Sequence, residues 1–463
     1  MAAQLAAGMF HRSDIRADAS LFTPETVTRL THAEALYFRK NKIKSVVLAR
    51  DARLSGAAIL SLTADILISL GFDVHVITTP ASTPYFYHTV KRIPGAAGIM
   101  ITASHNPGSY NGEKLVSPGP FPIADQTGLE KIKEYFINNE NAEQTHPGRV
   151  FFPDFSENYI TSSFSFLSLE RSFNPSFRFA ADFLTGAASD GIAPVLSLME
   201  NVRLSHFVPD GRFPLGDPNP AKVKMLPLEG EEFILLYDGD GDRVDIVLRD
   251  GREIPPSVIF AFILSSLAPR YCRVGLDPKV SPVIRKYLKE KGYEPVLVPN
   301  GHSRIKGMMG NDEMLMAAAE ESGHFYMSID GIPTENTLII TLAFLSCFEK
   351  NRKGLEDLIS LSSSFVRIRE WTDVFECDEK RRDVLMKLTK RFVNEGYLLT
   401  DTLENGEALG TSLLIKTDEG GWSQVSLRAS DTEEGLVRYE VLASDGKRAE
   451  EAHDIIKEYS SKG

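Results

Sequence analysis

Three carboxylates alternate with glycines in Asp238-Gly239-Asp240-Gly241-Asp242, and Arg243 follows directly. With glycines letting the backbone curl, three such side chains can converge on one hard divalent cation through oxygen ligands. An EF-hand loop is excluded, because its sixth position would be Arg243 instead of glycine and its twelfth Arg249 instead of a bidentate acid. A hairpin turn rich in Asp-Gly gives a similar pattern, although a turn needs fewer aspartates. Ser104, His105 and Lys114 form a second group, within Gly98 to Lys114. A serine hydroxyl takes part in transfer chemistry when a neighbour handles its proton or when it already carries a phosphoryl group, and His105 and Lys114 are such neighbours. On residue types alone, an ordinary polar loop around a turn-forming Asn106-Pro107 reads the same way.

Two further groups are weaker. In Ala319-Glu320-Glu321-Ser322-Gly323-His324, alternating carboxylate and hydroxyl groups are what a site uses to grip vicinal sugar hydroxyls, since such pairs both donate and accept hydrogen bonds. A solvated acidic turn has the same composition. Arg428, Ser430 and Thr432 combine a guanidinium with two hydroxyls in a loop, the makings of a phosphate cradle or of a plain surface loop.

The elements around these groups explain how they would be held. Gly98 to Ile101 has the continuous apolar character of a strand buried on both faces, and Asn106-Pro107-Gly108 stops it. Ser104 therefore sits just past a strand end, where open α/β sheets keep their sites. Three segments repeat one plan of strand, aspartate, polar turn, helix and strand: Val46 to Ile77, Phe177 to Val208, and Arg273 to Val298. The first helix carries Ile59, Leu62, Ile66 and Leu70 on one stripe, with Gly71 as its C-terminal cap. Ser281 caps the third, with Pro282 in its first turn. Strand-helix-strand units imply largely parallel sheets covered by helices, so three related α/β domains with mixed, largely parallel sheets are expected. From about Phe365 the pattern changes to a strand, a helix over Lys380 to Asn394, short strands with Gly-rich turns, and a closing helix over Gly446 to Lys462. This reads as a smaller α+β domain. The expected boundaries are 1–154, 155–254, 255–365 and 366–463.

A chain of 463 residues is too long for one core. Its net charge of −12 argues against nucleic acid or an anionic membrane as the main partner, so an anionic substrate needs a local basic pocket. Cys272, Cys347 and Cys377 are far apart and odd in number, which suggests neither a disulfide framework nor a zinc site and fits a reducing cytoplasm. Met1 to Phe10 lacks the features of a signal peptide, and the apolar stretches Val258 to Ala268 and Thr337 to Phe348 are too short to span a bilayer.

Thr102-Ala103-Ser104-His105-Asn106-Pro107, followed by Tyr110-Asn111-Gly112 and Lys114, resembles the phosphoserine loop of the α-D-phosphohexomutases, the group containing phosphomannomutase and phosphoglucomutase. The resemblance runs along the whole chain. Asp238 to Arg243 is similar to the family's magnesium loop, Ala319 to His324 to its sugar loop GEMSGH, and Arg428 to Glu434 to its phosphate loop RASNTEP. Asp14-Ile15-Arg16, Arg50 to Gly56, Pro209 to Pro214 with Pro218-Asn219-Pro220, and Gly301-His302-Ser303 with Lys306 and Lys279 match further motifs. Departures are Ala17, Ala319, Glu321, Asp431 and Glu434, and those in the sugar loop bear on sugar preference.

The resemblance implies four domains around a central cleft, giving serine, metal, sugar and phosphate loops in turn. It implies a phosphohexomutase that interconverts hexose 6-phosphate and hexose 1-phosphate of mannose or glucose. Phosphorylated Ser104 would be the donor, with Mg2+ on Asp238, Asp240, Asp242 and the serine oxygen. Arg243 would lie in the active site, Lys114 and His105 would serve as general acid and base, and Arg16 would line the same place. Glu320, Ser322, His324, His302 and Lys279 would meet the sugar, and Arg428, Ser430 and Thr432 the non-reacting phosphate. A hexose 1,6-bisphosphate such as glucose 1,6-bisphosphate would be intermediate and activator, and a monomer or dimer is expected. The alternatives are a phosphoglucosamine mutase, a phosphosugar-binding homologue impaired in catalysis, or a metal-dependent sugar phosphatase.

Overall fold

In the computed structural model the described residues are 8–222, 227–267, 272–400, 411–429 and 435–460. The chain forms two compact units, one of Met1–Ile254, Met309–Glu313 and Ser322–Lys350, the other of Pro255–Met308, Met314–Glu321 and Asn351–Gly463.

The first unit opens with a seven-stranded sheet: β1 (Ile15–Asp18), β2 (Ser45–Arg50), β3 (Asp73–Val76), β4 (Ala96–Ile101), β5 (Tyr110–Ser117), β6 (Phe121–Pro122) and β7 (Val150–Phe151). The order is β1-β5-β4-β2-β3-β7, with β6 beside β5. Pairs among β4, β2, β3 and β7 are parallel, while β5 runs antiparallel to β1, β4 and β6. The first repeat is therefore present as β2, the helix Gly56–Ser69 and β3. Of its expected apolar stripe Ile59 and Leu70 are buried, whereas Leu62 and Ile66 pack only partly against the core and Leu60, Ala64 and Leu67 are buried as well. The helix is apolar on most sides, so spacing alone did not select the inward face. Every residue of β4 is buried, as a strand covered on both faces requires.

A second sheet follows in the same unit, from β8 (Phe179–Asp182), β9 (Val202–Ser205), β10 (Phe233–Tyr237), β11 (Val244–Leu248) and β12 (Glu253–Ile254), in the order β12-β11-β10-β8-β9. β8 is parallel to β9 and β10, and β10-β11-β12 is an antiparallel meander. Phe177, Phe179 and Phe233 pack with Phe344 and Phe348 of the helix Thr337–Lys350, with Phe177 and Phe348 at 4.7 Å between ring centres. Aromatic pairs at such distances add to area burial. The unit also holds the hairpin of β16 (Phe325–Ile329) and β17 (Ile332–Glu335), turned at Asp330-Gly331 with both φ positive, the geometry a two-residue hairpin turn favours.

In the second unit β13 (Arg273–Leu276) pairs in parallel with β14 (Glu294–Leu297) and with β15 (Leu315–Ala319). Ser281 Oγ accepts from Ile284 N and caps the helix Pro282–Glu290, as expected. The C-terminal sheet is antiparallel, in the order β18-β22-β21-β20-β19, from β18 (Val366–Val374), β19 (Leu398–Leu399), β20 (Thr411–Asp418), β21 (Gly421–Ala429) and β22 (Leu436–Ala443). The helices Asp378–Asn394 and Gly446–Ser460 supply Leu388, Phe392, Ala452 and Ile456 to its core. The architecture is three α/β domains with mixed sheets and a further sheet domain at the C-terminus. Among the described residues no helix is long and apolar enough to cross a membrane.

Candidate active site

β4 ends at Ile101, and the loop that follows turns back into β5. Ser104 stands there with φ 51°, a left-handed conformation that a non-glycine residue holds only when its surroundings enforce it. They do so at both ends of the residue. Ser104 N donates to Thr102 Oγ1 at 2.8 Å, and Ser104 O accepts from Arg53 Nη2 at 2.8 Å. Arg53 is fully buried, and its guanidinium also donates to the carbonyls of Asn106 at 2.7 Å, Pro107 at 2.5 Å and Tyr110 at 2.9 Å. Its Nε meets Asp51 Oδ2 at 3.0 Å, the same oxygen that accepts Thr102 Oγ1 at 2.7 Å. One side chain thus fastens the whole serine loop. Phe213, from the Pro209 to Pro214 segment of the second domain, covers it with its ring centre 5.3 Å from the guanidinium carbon.

The aspartate segment links β10 to β11, so it is both a hairpin connection and a carboxylate cluster. Asp238, Asp240 and Asp242 are buried, and each offers an oxygen within 4.8 Å of the others. Gly239 is needed for a close approach, because a Cβ there would meet Ser104 O at 2.6 Å. Ser104 Oγ donates to Asp238 Oδ2 at 3.1 Å and lies 3.4 Å from His105 Nδ1. Lys114 Nζ, on β5, donates to Asp240 Oδ2 at 2.7 Å and to Asp242 Oδ2 at 2.6 Å. Thr83, in the first turn of the helix Thr83–Arg92, donates its hydroxyl to Asp240 Oδ2 at 2.7 Å.

Charge is unevenly shared in this cluster. Burial, then Asp242 and Asp240, pushes Asp238 well above the usual carboxylate range. Burial acts the same way on Asp240 and Asp242, but Lys114, together with the Thr83 hydroxyl at Asp240 and with His324 and Arg243 at Asp242, brings both below that range. For Lys114 burial opposes the charge, yet Asp240 and Asp242 prevail and raise the ammonium well above its ordinary value. Arg243, then burial and Arg16, lower His105 to about 2, so its imidazole is neutral. Asp240 Oδ1 and Asp242 Oδ1 are buried without a hydrogen-bond partner. Buried carboxylate oxygens left over in this way, beside a hydroxyl and with an all-oxygen donor set, fit a hard divalent cation.

Arg243 N donates to Asp238 Oδ1 at 3.2 Å, and its Nε donates to His324 Nε2 at 2.8 Å. His324 Nδ1 lies 3.0 Å from Glu335 Oε1. Asp242 and Glu335 draw the His324 pKa up against burial and Arg243, but Nε2 must keep a lone pair to accept from a guanidinium, which only donates. The geometry therefore holds the neutral ring with its proton on Nδ1. Arg16 Nη1 donates to Asn106 Oδ1 at 3.0 Å and its Nη2 pairs with Asp14.

Of the residues singled out in the sequence, Ser104, His105, Lys114, Asp238, Asp240, Asp242, Arg243, His324 and Arg16 come together in the first unit. Ser322 is also in that unit and is exposed. Glu320, Lys279, His302 and Arg428 belong to the second unit. There Glu320 Oε1 accepts from Gly301 N at 2.9 Å, next to His302, and Lys279 N donates to Asp277 Oδ1 at 2.8 Å past the end of β13. Arg428 is the penultimate residue of β21. Ser430 and Thr432, with Asp431 and Glu434, lie outside the described residues. Sequence reading named Arg53 only within its Arg50 to Gly56 match and passed over Thr83 and Glu335. The only signal for Arg53 was its place in Arg50 to Gly56, and Thr83 and Glu335 had none.

Models of three domains match the chain: phosphoglucomutase/phosphomannomutase alpha/beta/alpha domain I over residues 7–143, domain II over 157–251 and domain III over 257–365. The chain is 26% identical over 405 residues to the phosphohexose mutases protein of Xanthomonas campestris pv. campestris, covering 84% of this chain and 85% of that one. It is 26% identical over 378 residues to the phosphomannomutase/phosphoglucomutase of Pseudomonas aeruginosa, covering 79% of each. A solved structure of a phosphoglucomutase/phosphomannomutase family protein from Burkholderia thailandensis shares the fold with a TM-score of 0.79 at 22% identity, over 98% of this chain and 97% of that one. Three domain matches in order, ahead of the C-terminal sheet domain, show that the chain belongs to the α-D-phosphohexomutases, the isomerase family of phosphoglucomutase and phosphomannomutase.

Proposed function

We propose that the protein interconverts the 6-phosphate and 1-phosphate of glucose or mannose through a phosphoserine at position 104 and a hexose 1,6-bisphosphate intermediate. The observation that carries this reading is the buried Ser104 hydroxyl, 3.1 Å from Asp238 and 3.4 Å from His105, on a loop fastened by Arg53. Asp238, Asp240, Asp242 and the serine oxygen would hold Mg2+, which when bound neutralises charge on the transferring phosphoryl group.

The step breaks the bond from phosphorus to Ser104 Oγ and forms one to the free hydroxyl of the sugar phosphate, with one proton moving from that hydroxyl to Oγ. His105 and Lys114 are the groups that handle this proton, and Arg243 steadies the phosphoryl oxygens. After the bisphosphate turns over, the reverse step returns its other phosphate to Ser104. Glucose 1,6-bisphosphate would therefore act as activator by loading the serine.

Glu320, Ser322, His324, His302 and Lys279 are assigned to the sugar hydroxyls, and Arg428, Ser430 and Thr432 to the non-reacting phosphate. The serine, metal, sugar and phosphate loops are assigned to domains 1–154, 155–254, 255–365 and 366–463. Glu321, where the family usually has methionine, accepts from Ser257 Oγ at 2.6 Å, which supports a role in the protein framework. The presence of Ser104 and of all three aspartates weighs against a homologue that only binds phosphosugars.

A coupled assay with Mg2+ and catalytic glucose 1,6-bisphosphate, offering mannose 1-phosphate, glucose 1-phosphate and glucosamine 1-phosphate in parallel, tests the reading. Isomerisation of the first two, lost in Ser104→Ala, is expected. Isomerisation of glucosamine 1-phosphate alone would select the phosphoglucosamine reading, and phosphate release without isomerisation the phosphatase.

A further inference from the structure

His324 Nδ1 is 3.0 Å from Glu335 Oε1, His324 Nε2 is 2.8 Å from Arg243 Nε, Arg243 N is 3.2 Å from Asp238 Oδ1, and Asp238 Oδ2 is 3.1 Å from Ser104 Oγ. Four hydrogen bonds therefore run without a gap from Glu335 to the serine. The first two are directional in a way that leaves one arrangement. Arginine can only donate, so Nε2 carries the lone pair and Nδ1 the proton, and that proton needs a buried acceptor. Glu335 is that acceptor.

Glu335 is itself held firmly. It is the last residue of β17, in register opposite Tyr326. The next two residues are anchored as well: Asn336 Oδ1 accepts from Tyr159 OH at 3.0 Å, and Thr337 Oγ1 donates to Gly241 O at 2.8 Å, in the aspartate segment itself. The carboxylate is 1% exposed, and a buried acid retained at such a position requires a partner.

We propose that Glu335 is a positioning residue for phosphoryl transfer: by holding His324 in its Nδ1–H tautomer, it keeps Nε2 free to fix the Arg243 guanidinium beside Asp238 and Ser104. This rests on the mutase reading above. Ligand atoms of Asp242, His324 and Glu335 also lie within 4.8 Å of one another, a spacing a metal could use. A metal on Nδ1 would force the ring proton onto Nε2, where it would oppose the N–H of Arg243, so the hydrogen-bonded chain is the arrangement the geometry supports.

The test compares full-length wild type, Glu335→Gln and Glu335→Leu with Mg2+ and glucose 1,6-bisphosphate. Leucine removes the acceptor, and kcat is expected to fall roughly 10- to 100-fold with KM little changed, the range seen when a group orienting a histidine is lost. Glutamine keeps an acceptor oxygen of the same shape, and kcat should stay within about threefold of wild type. Nitrogen-15 spectra of labelled imidazoles, assigned through His324→Asn, give a readout independent of turnover: Nε2 of His324 should resonate as unprotonated in wild type and in the glutamine variant, and shift toward the averaged position in the leucine variant. Full kcat in Glu335→Leu, equal loss in both variants, or a protonated Nε2 in wild type would overturn the proposal. An inactive wild type would instead remove the mutase reading, whatever the spectra show.

Discussion

Adjacent residues of β5, Glu113 and Lys114, point to opposite faces of the sheet, and each meets buried carboxyl groups. On one face Lys114 bridges Asp240 and Asp242 at 2.7 and 2.6 Å. On the other, Glu113 meets Glu34 of the helix Pro24–Lys40, and among the described residues no donor from any other side chain or backbone reaches either carboxyl. A proton carried by one of them makes the bond between the two. Burial, with Glu113 beside it, lifts Glu34 well above the usual range, and burial lifts Glu113 too. The same strand thus shows two ways of keeping carboxyl groups in a core: by a countercharge, which leaves them ionised, or by a proton, which leaves them neutral.

The comparison breaks most visibly if the countercharge is removed. Lys114→Met should lower mutase kcat by about 10²–10⁴-fold, as loss of a proton-handling group does. It should also destabilise the metal-free protein by ~3–5 kcal/mol, because it leaves buried aspartates uncompensated. Saturating Mg2+ should recover more stability in this variant than in wild type, and thermal melts with and without chelator measure the difference.

Next in size is the frame of that face. Arg53→Lys keeps the charge but cannot reproduce the fork that holds four loop carbonyls and Asp51. Displacement of Ser104 should cost about 10²-fold in kcat with a smaller change in KM. Steady-state kinetics on glucose 1-phosphate would show it.

On the opposite face the sign reverses. Glu34→Leu with Glu113→Leu replaces a buried carboxyl pair by apolar contacts and should be neutral or stabilising by ~1–4 kcal/mol in denaturant titrations, with kcat unchanged.

The smallest effect is on pH dependence. Both folded-state values lie above the ordinary glutamate value of 4.5. The pair's contribution is therefore fully present below that value and is lost as pH rises through the raised folded values. The stability of wild type relative to the double leucine variant should be level below the ordinary glutamate value and fall as pH rises above it, and a pH-independent difference would show that the pair is ionised and paired in some other way.

Much of the first face was legible in the sequence and almost none of the second. The strand-helix-strand repeats stand out because buried parallel strands are continuously apolar, and the Ser104 and Asp238 to Arg243 loops stand out because glycines and polar residues crowd the strand ends. Arg53 was legible as a charge but not as a clamp, since its partners lie more than fifty residues on, from Ser104 to Tyr110, and their carbonyls have no signature in residue type. Thr83 was hidden because its partner Asp240 lies far along the chain, and Glu335, though only eleven residues from His324, because nothing in a strand-end glutamate signals burial. Glu113, between Gly112 and Lys114, reads as a solvated residue of a polar strand end, and only packing against the helix that bears Glu34 makes it a core residue. The sugar loop divides: its family pattern was visible, yet Ser322 is exposed while His324 is buried against Arg243 and Glu335, a split that period alone could not reveal.

The most direct test of the central claim is intact-protein mass spectrometry after incubation with glucose 1,6-bisphosphate and Mg2+. The account predicts one added phosphate on Ser104, absent from Ser104→Ala, that is discharged when glucose 1-phosphate or mannose 1-phosphate is supplied. A wild-type protein that takes up no phosphate, or keeps it in the presence of both sugars, would contradict it.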